Sequence, residues 1–180
     1  MAEVNNGKPI ISIIIPTKNR YDILIISLGE LAKATANIHN VEILIIDDGS
    51  DSPIEVPKEF GNVMVFPNSG KGVASARNFG ASKAKSDLLW FLDDDIWVNE
   101  LALKRAIHLN ATNPNAVFNF NWEYPPYLNE LISKIPFGRF LQDINFTTMK
   151  GWCRGNYWND YELFKTDWLA GATLLISKST

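Results

Sequence analysis

Residues 10–20 read Ile10-Ile11-Ser12-Ile13-Ile14-Ile15-Pro16-Thr17-Lys18-Asn19-Arg20. A short run that is apolar but for one serine, β-branched and closed by proline describes a strand buried on both faces, expected over residues 10–15. A polar Thr-Lys-Asn-Arg segment follows directly. Two later segments repeat the arrangement. Residues 41–46, Val-Glu-Ile-Leu-Ile-Ile, run into Asp47-Asp48-Gly49-Ser50, and residues 88–92, Leu-Leu-Trp-Phe-Leu, run into Asp93-Asp94-Asp95. Leu24, Leu28 and Leu31 recur at helical spacing and predict a helix over residues 21–35. A short strand is expected over residues 63–66. A helix over residues 71–85 is rich in small residues (Gly72, Ala74, Ser75, Ala76, Gly80, Ala81, Ala84), so its axis can lie close to a sheet. Asn99 can cap a helix over residues 100–109, and residues 116–120 suggest a fifth strand. Strands alternating with helices imply an α/β fold with a Rossmann-like, mainly parallel sheet flanked by helices. Ligands of such sheets sit beyond the carboxyl ends of the strands, where this sequence collects its polar residues.

Composition agrees with a folded domain. Of 180 residues, 46% are hydrophobic and 21% charged, which excludes wholesale disorder. A chain of this length buries about 70% of its unfolded surface and needs no disulfide or metal staple. The net charge of −3 argues against a protein built to hold nucleic acid. The lone Cys153 cannot form an internal disulfide, and it carries no nucleophile signature. Residues 1–8 are polar, unlike a secretion signal. The apolar runs fall far short of the roughly 20 residues that span a bilayer. The expected location is cytoplasmic, including the cytoplasmic face of the membrane. Aromatic residues are concentrated late: seven precede residue 116 and fourteen follow from there. Three regions result: a tail over residues 1–9, a part over 10–121 that carries the polar strand-end clusters, and an aromatic-rich, irregular part over 122–180. The last holds a short helix near residues 128–134 and a strand near 172–177.

Three constellations can carry chemistry. Asp93-Asp94-Asp95 places three carboxylates side by side, which costs free energy unless positive charge is near. On an extended chain Asp93 and Asp95 share one side and can reach one hard divalent cation, Mg²⁺ or Mn²⁺. The same run also reads as a solvated acidic turn before a helix. Asp47-Asp48-Gly49-Ser50-Asp51 reads as an Asx turn, or as a carboxylate offered to a base N–H or a sugar hydroxyl. The run from Asn68 to Gly80 is a glycine-rich turn into a helix, with Lys71 and Arg77 available to an anion. It lacks the frame of a phosphate-binding P-loop, and no dinucleotide fingerprint follows the first strand. His39 and His108 are far apart, so no His/Cys cluster suggests zinc.

Taken in order, Ser12-Ile-Ile-Ile-Pro-Thr-Lys-Asn-Arg20, Ile45-Ile-Asp-Asp-Gly-Ser-Asp51, the Asn68 to Gly80 run and Trp90-Phe-Leu-Asp-Asp-Asp-Ile-Trp97 resemble the family-2 glycosyltransferases of GT-A fold. The resemblance extends more weakly to Trp168-Leu-Ala-Gly-Ala-Thr-Leu-Leu-Ile-Ser177, similar to the family's acceptor-side segment. It implies an enzyme of glycan or cell-wall biogenesis. Such an enzyme transfers a sugar, with inversion, from a nucleotide-diphosphate donor to a hydroxyl on a glycan or lipid-linked acceptor. It implies that Pro16, Thr17, Asn19 and Arg20 border the nucleotide, and that Asp48 accepts from the base. Lys71 and Arg77 would belong to the nucleotide site. Asp93 and Asp95 would match the family's D-x-D motif, Asp93 near ribose and metal, Asp95 holding Mn²⁺ or Mg²⁺ on the diphosphate.

An inverting transferase also needs a general base. The resemblance puts it in an acidic motif after the Gly171-Ala172 segment, and Asp160, Glu162 and Asp167 do not match that motif. The base is therefore expected beyond Thr180, with the chain truncated at its C-terminus. Two other readings stay open: a catalytically silent nucleotide-sugar binding domain, and a sugar nucleotidyltransferase. The latter would want glycines right after the first strand, where Pro-Thr-Lys-Asn-Arg has none. The stretch over residues 132–140 suggests peripheral contact with a membrane that carries a lipid-linked acceptor.

Overall fold

The structure is a computed structural model that describes residues 7–61, 63–119 and 173–178. The chain divides into two compact units, one of residues 1–118 with 171–180 and one of residues 119–170. Apart from Asn119, the second unit, with the expected 128–134 helix, Cys153 and most of the aromatic-rich part, lies outside the described residues.

The strands and helices follow in the expected order. They are β1 (Ile11–Thr17), α1 (Tyr21–Thr35), β2 (Val41–Asp47), β3 (Val63–Pro67), α2 (Val73–Lys83), β4 (Leu88–Leu92), α3 (Glu100–Thr112), β5 (Phe118–Asn119) and β6 (Thr173–Ser177), with a single 3-10 turn at Lys58–Phe60. They build one six-stranded sheet in the order β3-β2-β1-β4-β6-β5. The first four strands of that order are parallel, and β6 runs antiparallel to β4. Every residue of β1 and β4 is buried, as continuous apolar runs between two layers of helix require. β6 alternates buried and half-buried residues instead.

Side-chain alternation divides the core. Ile14, Leu44, Ile46, Leu89 and Phe91 pack with Ala76 and Ala84 of the α2 segment. The small-residue helix works as its sequence suggests. A Cβ at Gly80 would collide with Ile14 Cγ2 and come within 3.0 Å of Ile46 Cγ1. On α1, Leu24, Leu28, Leu31 and Ala34 form the buried stripe, and α3 contributes Leu103, Ala106 and Leu109.

Several boundaries differ from expectation, each for a local reason. β1 does not stop at Ile15. It runs through Pro16, which pairs with Ile46, to Thr17 opposite Asp47. Thr17 O accepts from Asp48 N, so Thr17 bonds toward β2 and the neighbouring Pro16 faces β4. Pairing with β4 ends at Ile14 and Phe91, so the missing N–H of proline falls past the end of that ladder. α2 is shorter than residues 71–85. Gly72 has φ 88°, outside helical space, and the Lys85 N–H goes to buried Glu42 (2.8 Å) instead of a helical carbonyl. α3 runs one turn past Leu109 and stops before Asn113-Pro114, and its start is capped as expected, Ala102 N donating to Asn99 Oδ1 at 2.8 Å. β5 is Phe118–Asn119, so it begins two residues later than expected, and residue 120 lies outside the described residues. Among the described residues no helix is long and apolar enough to cross a membrane.

Gly80→Ala should lower stability by about 1–3 kcal/mol although alanine is the better helix former, because the added methyl meets β1 and β2. A fall in the urea midpoint at constant slope is the expected readout, and an unchanged or higher midpoint would show that the helix can lift off the sheet freely.

Candidate functional site

The strand order identifies the crevice. The chain progresses outward from β1 to β2 to β3, then returns across β1 to β4. The direction of winding reverses between β1 and β4, and open sheets of this type bind ligands just beyond the carboxyl ends at that switch point. Thr17 to Arg20 leave β1 there, and Asp93 to Asp95 leave β4.

The two loops are joined by ionic hydrogen bonds. Arg20 Nη1 lies 2.7 Å from Asp94 Oδ1, and Arg20 Nη2 lies 2.7 Å from Asp95 Oδ2. Thr17 donates its hydroxyl to Asp94 Oδ2 at 2.7 Å, and Ser27 of α1 donates to the backbone oxygen of Asp94 at 2.6 Å. Arg77, reaching from α2, donates from Nη2 to Asp93 Oδ1 at 2.6 Å. Its Nε is buried and has no acceptor among the described residues. Three carboxylates thus face two guanidiniums and keep a net negative charge.

Burial raises the Asp93 and Asp94 carboxyls above the ordinary aspartate range, against the opposing pull of Arg77 on one and of Thr17 and Arg20 on the other. Arg20 is pushed up, chiefly by its hydrogen bond to Asp95.

The extended geometry expected for this loop does not hold. Asp93 O accepts from Ile96 N at 3.1 Å, so the chain turns immediately after β4. Asp94 and Asp95 therefore share Arg20, while Asp93 goes to Arg77. The extended backbone stops where the ladder with β6 ends at Leu92, yet Asp94 is still the buried member and Asp93 and Asp95 the more exposed ones.

A second cluster lies beyond β2 and β3. Asp48 accepts from Asn68 Nδ2 (2.6 Å) and from Gly72 N (2.8 Å to Oδ2). It thereby pins the loop that leads into α2. Asp47 forms the expected Asx turn, its Oδ1 accepting from Ser50 N at 2.9 Å. Asn19 adopts left-handed φ 54° and exchanges two hydrogen bonds with Asp51, 3.0 Å to Oδ2 and 2.8 Å from its N–H. The β1 loop is thus tied to the β2 loop as well as to the β4 loop.

Among the sequence-derived candidates, Arg20, Arg77, Asp93 and Asp95 converge, with Thr17 beneath them. Pro16 and Thr17 are buried; Asn19, Lys71 and Asp95 are exposed. Asp94, Ser27 and Asn68 were not singled out as site residues. Ser27 had a readable signal, a hydroxyl on the otherwise apolar stripe of α1.

The donor chemistry bears on a cation. Among the described residues no three His, Cys, Asp or Glu side chains form a closed metal cage. Asp93 and Asp95 are partly exposed, and each has one carboxylate oxygen in an ion pair and, among the described residues, the other not in one. Two hard oxygen donors open to solvent fit Mg²⁺ or Mn²⁺, which commonly take one or two carboxylates plus substrate phosphates.

The sequence profile of glycosyl transferase family 2 matches residues 12–161. The chain belongs to that family. It is 32% identical over 141 residues to validoxylamine A glucosyltransferase of Streptomyces hygroscopicus subsp. jinggangensis, covering 71% of this chain and 33% of that protein. It is 31% identical over 122 residues to an uncharacterized glycosyltransferase of Haemophilus influenzae, covering 64% and 48%. This chain thus spans between a third and a half of the length of these relatives. Its fold matches the mannosyltransferase PcManGT of Pyrobaculum calidifontis with TM-score 0.54 at 16% identity, covering 69% of this chain and 39% of that one.

Thr17→Val should cost about 1–2 kcal/mol, because it leaves the buried Asp94 oxygen without its donor. Thermal melting checks this; a variant as stable as the parent would mean that Thr17 does not support the acidic loop.

Proposed function

We propose that this chain carries the donor-binding site of an inverting glycosyltransferase. The enzyme would move a sugar from a nucleotide-diphosphate donor to a hydroxyl on a glycan or lipid-linked acceptor. Family membership supports the reaction class. The observation that carries the site is the meeting of the Asp93 to Asp95 loop with Arg20 and Arg77 at the switch point. Residues 10–121 would supply the donor half and residues 122–180 the acceptor side.

Each group has a role its surroundings suit. Asp48, oriented by Asn68 and Gly72, would accept the base N–H with its remaining lone pairs. Pro16, Thr17 and Asn19 would form the wall of the nucleotide pocket, the first two through buried backbone and the last through its left-handed turn. Lys71, exposed before α2, and Arg77 would meet the anionic part of the donor. Arg20 would bind a diphosphate oxygen, a partner for which its planar fork is suited. Asp93 and Asp95 would hold Mn²⁺ or Mg²⁺, which when bound supplies positive charge to the departing diphosphate. PcManGT, of the same fold, is described in complex with GDP-Man and Mn²⁺, which favours this assignment.

Asp95→Asn should abolish Mn²⁺-dependent nucleoside-diphosphate binding in calorimetry while the melting curve stays in place. Unchanged affinity would overturn the metal assignment. Asp48→Ala should weaken the same nucleotide about tenfold, the loss of one charge-assisted hydrogen bond, with Mn²⁺ and with EDTA alike. A loss seen only with Mn²⁺ would remove Asp48 from base recognition.

A further inference from the structure

The two arms of Arg20 are held unequally. Nη1 rests on Asp94, whose side chain is 5% exposed, and Nη2 on Asp95, whose side chain is 49% exposed. Asp94 uses both oxygens, one on Arg20 and one on Thr17. Removing the guanidinium would strand a buried carboxylate, so this contact persists. The Asp95 contact is solvent-exposed, and such pairs exchange readily. Asp95 is also one of the two carboxylates that the proposed function gives to the cation, and the inference rests on that reading.

We propose that Arg20 gates the cation site. Anchored on Asp94, it occupies Asp95 through Nη2 until a nucleotide diphosphate draws that arm to a phosphate oxygen. Cation and nucleotide then bind as a coupled pair. Three features carry this. A divalent ion approaching Asp95 meets the positive charge of Arg20 a few ångströms away and is repelled at close range. A diphosphate is a better partner for the freed N–H groups than one exposed carboxylate. Arg20 lies just outside α1, with φ −129° and ψ 40°, so its side chain can change partner without disturbing the helix. Arg77 shows no such division, since among the described residues its ion pair is with Asp93 alone. Coupling of this kind is reciprocal: whatever the nucleotide does for the cation, the cation does for the nucleotide.

Lysine at this position keeps the charge but not the fork, so it can serve Asp94 and leave Asp95 open. The test is Mn²⁺ binding to the full chain, read as the loss of the free-ion electron paramagnetic resonance signal, without nucleotide and with UDP or GDP. Wild type should bind Mn²⁺ weakly alone and more tightly with one of the nucleotides. Arg20→Lys should bind Mn²⁺ alone about five- to tenfold more tightly and lose most of the nucleotide coupling. Arg20→Met, where it melts as wild type does, should show the larger gain. Equal or weaker Mn²⁺ binding by Arg20→Lys, with the melting curve unchanged, overturns the gate. If wild type binds no Mn²⁺ even with UDP and GDP present, the donor-site reading itself fails, and the gate with it.

Discussion

The buried carboxylate of Asp94 is the constraint on which the site depends. It sits where the end of β1, the first turns of α1 and the end of β4 meet. Thr17, Ser27 and Arg20 bind its carboxylate or its backbone oxygen. A carboxylate in that position costs free energy unless its oxygens are satisfied. The three donors therefore hold the two loops of the switch point in one arrangement. Asp93 and Asp95, on either side of it, are directed outward by the turn that Asp94 anchors. The residue in the middle of the acidic run holds the loops in place, and its neighbours are the more exposed members of the run.

The same logic extends along the sheet edge. Asp48 N bonds to Thr17 O, and Asn68 N to Asp47 O, so the ends of β1, β2 and β3 are stitched together before any side chain contributes. Asp48 then fixes the entry to α2, and α2 delivers Arg77 to Asp93. Gly80 lets that helix lie against Ile14 and Ile46, which sets how far Arg77 reaches. Core packing on one face of the sheet and charge pairing at its edge are thus one structure.

Much of this was legible in the residues. The apolar runs of β1, β2 and β4 and the stripe of α1 define themselves, because burial on two faces or on one stripe leaves a strong period. The polar clusters after those strands pointed to the carboxyl edge. What was not legible depends on tertiary neighbours. That Pro16 sits inside β1 follows from where the β4 ladder ends, which no local pattern reveals. That Asp94 turns inward follows from Thr17 and Ser27, distant in sequence from it. Asp93 and Asp95 are the more exposed pair beside buried Asp94, as alternation along a strand would give, but a turn produces the arrangement.

The proposed nucleotide-diphosphate site lies at the β1–β4 switch point and would be completed by a divalent ion. Calorimetric titration of UDP, GDP and dTDP into this chain, each with Mn²⁺ and with EDTA, tests it most directly. One nucleotide should bind with Mn²⁺ and lose at least about tenfold in affinity in EDTA. Binding of none of the three, under either condition, would contradict a donor site at this switch point.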